Sequence, residues 1–248
     1  MTNNYQKQAL VWDWDAFDNS PEYAHWCNLA RPYGQNVLIP MCAHGQSGAY
    51  MAQEGFNVTA FDITPEMIEA GRERYGTVEG LTLTVADMLA LDLAKKDFHF
   101  VFIGGNGDLH LLPSLEDVGK AFVSIYKHMR PGACLFLELT LPWKESFNHP
   151  KRIFHPRVPN YTDKKIWKEN QSAYDAHSQR QRISQKVYIE DARGLDSFTQ
   201  EVALQYWERD AVIALLSQCG FTIKNEYSDK DKTPWTPESN TWIVESII

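Results

Sequence analysis

VLIPMCAHGQSGAYMAQEGFNVTAFDIT, residues 37–64, decides the fold. VLIPM (37–41) is apolar and short, as a buried strand is, and SGAYMAQEG (47–55) has helical spacing with Gly55 as its C-terminal stop. NVTAFDI (57–63) is a second apolar strand, so the unit reads strand, loop, helix, strand. Asp62 closes the second strand about twenty residues after the loop, where a carboxylate accepts hydrogen bonds from ribose hydroxyls. The same side chain is also placed to cap the helix that begins near Pro65. In the loop, Pro40, Met41, Cys42, Ala43 and His44 stand where closely spaced glycines would let backbone N–H groups approach a pyrophosphate, and only Gly45 and Gly48 remain. A dinucleotide is therefore disfavoured, whereas a nucleoside cofactor without phosphates needs only one close backbone approach.

Outward from this unit the alternation continues. PEYAHWCNLARPY (21–33) is an amphipathic helix leading into the first strand, and PEMIEAGRERY is a helix with Pro65 in its first turn. LTLTVAD and FHFVFIGG follow as strands, LEDVGKAFVSIYKHM as a helix ending at Arg130-Pro131-Gly132, and ACLFLELT as a strand. After Pro142 the pattern changes: 143–182 is polar, aromatic and irregular, whereas RISQKVYIEDA and LDSFTQEVALQYW alternate with period two around Arg193-Gly194, as a hairpin does. ERDAVIALLSQCGF returns to helix, and TIKNEYS and NTWIVESII are two more strands. The expected architecture is a doubly wound, Rossmann-like α/β fold: a mostly parallel seven-stranded sheet, helices on both faces, and a small antiparallel extension. We expect one domain over 1–248, with an N-terminal lid and helices (1–35), a cofactor-binding core (36–142), an irregular and antiparallel substrate cap (143–207), and a final helix and strands (208–248).

Bulk properties bound the function. A chain of 248 residues with 44% hydrophobic and 23% charged residues is an ordinary soluble composition, and no apolar run approaches the ~20 residues a bilayer requires. The N-terminus carries no secretory pattern, so cytoplasmic residence is expected. Cys27, Cys42, Cys134 and Cys219 are widely spaced, which suggests reduced thiols, with neither a metal site nor a disulfide framework. A net charge of −8 argues against extended nucleic-acid contact; the one basic cluster, KRIFHPR (151–157), reads as a solvated loop. Nothing in the composition sets the oligomeric state.

The chain resembles the class I S-adenosylmethionine-dependent methyltransferases through four ordered segments: VTAFDITPEMIEAGRERY, VADM, FVFIGGNGDLHLL and HMRPGACLFLEL. Within that superfamily PEYAHWCNLARPYG and the C-terminal EYSDKDKTPWTPESNTWIVESI are similar to a group of bacterial small-molecule methyltransferases with an antiparallel insertion after the fifth strand. The resemblance implies S-adenosyl-L-methionine as cofactor. It implies that Asp62 binds the ribose hydroxyls, that Ile63 and Met67 lie beside the adenosine, that Asp87 accepts from the adenine amino group while the Met88 N–H meets the ring, and that Gly104 lies under the methionine part. Met41, Cys42, Ala43 and Gly45 form the loop against the cofactor. The departure is also in the loop: family members place an acidic residue and a glycine-rich run at positions that here hold Ile39, Pro40, Met41, Cys42, Ala43 and His44.

In-line methyl transfer rests mainly on positioning, worth ~7–11 kcal/mol when reacting groups are well oriented. A base is needed only where the acceptor arrives protonated, and His110, after the fourth strand, is the candidate, with Asn106 to orient it; the alternative is a histidine bonded within its loop. Trp14, from the carboxylate-rich VWDWDAFD, and Trp143 and Tyr174 are candidates for the acceptor pocket, or for packing at its outer wall. The leading expectation is methyl transfer to N, O or S of a small molecule. Displacement within the cofactor, releasing methylthioadenosine, and a non-catalytic binding module stay open as alternatives.

Overall fold

The computed structural model describes residues 7–9, 20–104, 109–141, 149–158 and 163–248. In chain order the elements are α1 (Ser20–Ala30), β1 (Asn36–Ile39), α2 (Gln46–Gln53), β2 (Asn57–Asp62), α3 (Pro65–Tyr75) and β3 (Leu81–Val85). They continue with β4 (Phe98–Ile103), α4 (Leu115–Tyr126), β5 (Met129–Thr140), β6 (His149–Arg157) and β7 (Lys165–Asp175). The last are β8 (Arg180–Asp191), β9 (Gly194–Gln205), α5 (Arg209–Gln218), β10 (Thr222–Tyr227) and β11 (Thr241–Ile247).

Seven strands form one sheet in the order β10-β11-β5-β4-β1-β2-β3. β1 to β5 run parallel, and β11 enters antiparallel beside β5 and pairs with β10. The first three strands proceed outward from β1 in one direction, and β4 and β5 in the other. The crevice at this reversal, beyond the C-terminal ends of β1 and β4, is where such sheets take ligands. Val37, Leu38, Phe98, Phe100 and Val101 have no exposed surface, which explains the unbroken apolar runs that read as central strands.

Each face is covered by its own apolar cluster. α1, α2 and α3 pack Trp26, Met51 and Ile68 against Phe100, Phe102 and Phe136. On the other face α4 and α5 pack Phe122, Ile125, Val212 and Leu216 against Val101, Leu135 and Leu137. α4 begins at a capping pair, in which the Asp117 N–H donates to Ser114 Oγ at 3.1 Å. It ends at Tyr126, three residues before the expected end, because the His128 ring bonds the Ser124 carbonyl at 2.8 Å and Met129 already pairs with Phe98 in the sheet.

The larger correction lies after β5. Much of the stretch expected to be irregular, 143–182, is regular: β6 and β7 precede the expected hairpin, and β6-β7-β8-β9 form a separate four-stranded antiparallel sheet. β7 and β8 stay in register from Lys165↔Glu190 to Asp175↔Arg180. Period-two patterning is faint there because polar residues fill both faces, and among the described residues Ile166, Val187, Ile189 and Phe198 form a small buried core.

One close approach sets α3 against the first loop. A Cβ on Gly71 of α3 would lie 2.3 Å from the His44 carbonyl oxygen. Alanine normally improves a helix interior by about 1 kcal/mol over glycine. Gly71→Ala is expected to do the reverse and lower stability by about 1–3 kcal/mol through overpacking, read from the denaturation midpoint; a stabilised variant would show that α3 stands clear of the loop.

Candidate functional site

The loop from β1 to α2 keeps a glycine-like path without the glycines. Met41 (φ 52°) and Ala43 (φ 49°) are left-handed, as is Gly45 (φ 78°). Side chains rarely adopt this region, at a cost of order 1–2 kcal/mol per residue, so the surrounding bonds must hold it. They do: the Cys42 N–H donates to the Phe61 carbonyl at 2.9 Å, the Gly45 N–H to the Cys42 carbonyl at 2.7 Å, and the Ala43 N–H to Asp62 Oδ2 at 3.0 Å. The other Asp62 oxygen, Oδ1, accepts from the Thr64 N–H at 2.9 Å. Asp62 thus clasps the loop to the start of α3 and leaves lone pairs on both oxygens. Thr64, not Asp62, is the residue at the helix cap.

Beyond the ends of β1, β2 and β3 lies a cavity of about 440 Å³. Of the residues expected around the cofactor, Met41, Ala43, Asp62, Ile63, Met67, Asp87 and Met88 line it. Asp87 starts a short 3-10 turn, its Oδ1 accepting from the Leu89 N–H at 2.8 Å. Ile63 is 63% exposed and Leu111, also a wall residue, 48%, so two large apolar side chains stand bare at the opening. Cys42 and Gly45 shape the loop from behind, with Gly45 backed against Leu83, where a Cβ would come within 2.4 Å. His44 is buried beside Arg74 and does not line the cavity. Gly104 is at the end of β4, under the Phe102 ring.

His110 sits deeper than the rim. It is buried, its Nδ1 lies 3.0 Å from the Gln205 carbonyl, and its ring centroid is 4.7 Å from that of Tyr206. Burial lowers its pKa, against an upward pull from the Gln205 and Thr140 backbone, so the imidazole is neutral at pH 7. It ties the turn after β4 to the end of β9. Tyr174 packs edge-on against Tyr206 and is outside the cavity wall. Asn106, Trp14 and Trp143 lie outside the described residues.

Sequence reasoning missed part of the wall. Leu111, Leu112 and, from β9, Gln200, Glu201 and Val202 close the cavity, and Gln8 reaches it from the N-terminal segment. The leucine pair in LHLL was the available signal. Glu138 was also missed, a lone charge within the apolar ACLFLELT: burial raises its pKa, and its buried Oε2 makes no hydrogen bond. Among the described residues no helix is long and apolar enough to cross a membrane, and no cluster of metal-ligating side chains occurs.

Residues 37–132 match the family model described as a methyltransferase domain. Over 237 residues the chain is 21% identical to "Putative methyltransferase YqeM" of Bacillus subtilis (strain 168), covering 95% of this chain and 93% of that protein. Its fold is similar to a crystal structure of an S-adenosylmethionine-dependent methyltransferase from Clostridium acetobutylicum (TM-score 0.80, 12% identity, 99% of each chain). It is also similar to the S-adenosylmethionine-bound amino pentose methyltransferase CalS10 from Micromonospora echinaspora (TM-score 0.70, 19% identity, 100% of this chain and 98% of that one).

The loop's dihedrals give a stability test. Ala43→Gly removes the left-handed penalty and adds unfolded-state entropy, so it is expected to change stability by less than about 1 kcal/mol. Ala43→Val puts a β-branched residue in the same region and is expected to cost about 1–3 kcal/mol. Equal thermal midpoints for the two variants would show that Ala43 is not left-handed in solution.

Proposed function

We propose that this chain, a class I S-adenosylmethionine-dependent methyltransferase, moves the methyl group to a nitrogen, oxygen or sulfur of a small molecule by in-line displacement, with an amine the favoured acceptor. The observation that carries this reading is the cavity at the ends of β1, β2 and β3, with Asp62, Ile63, Asp87 and Met88 together on its wall. Its volume of about 440 Å³ falls within the ~300–1,000 Å³ of small-molecule sites. The residues suit an adenosyl group: Asp62 has acceptor capacity for ribose hydroxyls, Asp87 for an exocyclic amine, and Ile63 a bare apolar face for a purine. The bound cofactor supplies a methyl group on a sulfonium, activated for displacement by its neutral thioether leaving group.

The chain's own work is placement and exclusion of water. Leu111 and Leu112 add apolar wall, and β9 joins the lining through Gln200, Glu201 and Val202, the part we assign to the antiparallel sheet as a substrate cap. Gln8 adds the N-terminal segment to that cover, as a lid would. A closed, low-dielectric site strengthens electrostatic interactions and fixes the approach of the acceptor. His110, kept neutral by burial, is the proton acceptor we assign for an acceptor that arrives as an ammonium. The amino pentose specificity named for CalS10 and the net charge of −8 both favour an amine. Because the first loop keeps the backbone path that glycines would give it, nothing in it favours displacement within the cofactor.

Two measurements test this. Incubation with S-adenosylmethionine and a panel of amines is expected to yield S-adenosylhomocysteine; release of methylthioadenosine instead would overturn methyl transfer. Asp62→Ala should weaken S-adenosylhomocysteine binding by ~1–3 kcal/mol in calorimetry, since it removes buried hydrogen bonds to ligand and loop alike.

For His110 the pH profile decides. His110→Gln should leave cofactor affinity unchanged and lower kcat. In the parent chain the acid-side fall of kcat/KM should lie below the range of an ordinary histidine, because burial depresses the folded pKa. A variant with full turnover across that range would remove His110 from the chemistry.

A further inference from the structure

The first loop has no carboxylate for a bound amino-acid tail, yet the neighbouring strand end has one without a partner. Ile103 of β4 pairs with Leu137 of β5, which sets Gly104 beside Glu138. A Cβ on Gly104 would fall 3.2 Å from the Glu138 Cβ and 2.3 Å from the Phe102 ring, so the strand end here is stripped of side chain while an acid stands next to it. Glu138 Oε2 is buried and makes no hydrogen bond. A buried carboxylate oxygen without a donor is costly, and native structures keep one where a ligand or function supplies the donor.

Among the described residues, several other acids near the sheet's C-terminal ends are engaged, and Glu201 of β9 stands on the cavity wall itself. Asp62 accepts from the Ala43 and Thr64 N–H groups, Asp87 from the Leu89 N–H, and Glu22 pairs with Lys230 at 2.9 Å. Glu245 takes the Asn225 amide at 2.8 Å. A second open group belongs to the same cluster: Trp26 lies 3.9 Å from Phe102 between ring centroids, and its buried Nε1 also has no acceptor. An unsatisfied acceptor and an unsatisfied donor around one phenylalanine suit a zwitterion.

From the cofactor reading above, on which this rests, we infer that Glu138 receives the α-ammonium of the cofactor's methionine tail, in place of the acid missing from the first loop, with the Trp26 N–H toward the tail's carboxylate. Asp62 and Glu138 are three strands apart, β2 to β1 to β4 to β5, or about 14 Å at strand spacing. A ribose joined to an extended aminobutyrate tail bridges that gap with a hydrogen bond at each end. Charge also agrees: the ammonium neutralises a carboxylate that burial otherwise pushes toward its protonated form, with only Lys230 opposing and Glu22 adding to the push.

The test needs no knowledge of the acceptor. S-adenosylhomocysteine carries the amino-acid tail and methylthioadenosine lacks it. Glu138→Gln should weaken S-adenosylhomocysteine at least about tenfold in calorimetry, as loss of a charged hydrogen bond does, and leave methylthioadenosine unchanged; Glu138→Asp should retain part of the affinity. The unliganded Glu138→Gln protein should melt at the parent temperature or above, since it loses a carboxyl whose Oε2 is buried without a donor. Unchanged S-adenosylhomocysteine affinity, which would assign Glu138 to the acceptor, overturns the inference. So does a parallel loss of both ligands, or a lowered melting temperature with binding intact. Failure of the parent chain to bind S-adenosylhomocysteine would instead sink the cofactor reading itself.

Discussion

The clasp made by the Asp62 carboxylate is the constraint on which the site depends. One oxygen holds the Ala43 N–H and the other the Thr64 N–H, so a single side chain sets the first loop against the start of α3. Without it, Met41 and Ala43 would have little reason to stay left-handed, because relaxation to the ordinary helical or extended regions releases strain. The loop's path decides whether the crevice beyond β1 is open. With the path kept, His44 turns into the protein beside Arg74 and only Met41 and Ala43 face the cavity. A bulky loop sequence is thereby compatible with an open site.

The same clasp explains why the local reading of Asp62 split two ways. Its position at the end of a strand pointed to ribose hydroxyls, and its distance from Pro65 to a cap. A carboxylate has about four acceptor sites, and the structure uses two of them on backbone. The capping alternative was nearly right about the neighbour and wrong about the position: Asp62 bonds the Thr64 N–H just ahead of the helix, and Thr64 is the cap residue.

Legibility followed burial. Strands such as NVLI and FHFVFI, covered on both faces, announce themselves by mostly apolar runs, and the glycine and proline punctuation between them marked the helices. The seven-stranded sheet was therefore readable, as were seven of the wall residues, from Met41 to Met88. β6 and β7 were not. In β7, KIWKENQSAYD, Ile166 is the only fully buried residue, and a strand stabilised by register with β8 more than by an apolar face leaves almost no period-two trace. Wall residues contributed by β9 were hidden for another reason: Gln200, Glu201 and Val202 have no chemistry that marks them, and only the packing of one sheet over another brings them to the cavity. His110 shows the converse. Its place after the fourth strand was read correctly, but a ring bonded to Gln205 and packed on Tyr206 is set between the turn after β4 and the end of β9, a relation that no local pattern encodes.

Glu138 carries the comparison one step further. A charge inside ACLFLELT conflicts with its strand, since its neighbours Leu137 and Leu139 are buried on one face and Phe136 on the other. Sequences ordinarily agree with their folds at every level, and a local conflict that persists marks a place where function outweighs stability. Here the conflict sits one strand over from the reversal point, next to a glycine too crowded to carry a side chain. On the inference drawn above, the positive end of the ligand meets a carboxylate on β5 and not in the first loop, which leaves the backbone bonds that hold the loop in shape uninterrupted. Moving the charge from a loop to a strand also stiffens its support, because Glu138 is fixed by pairing with β11 through Ile243, whereas a loop acid would depend on the left-handed turn held by Asp62 and two backbone bonds.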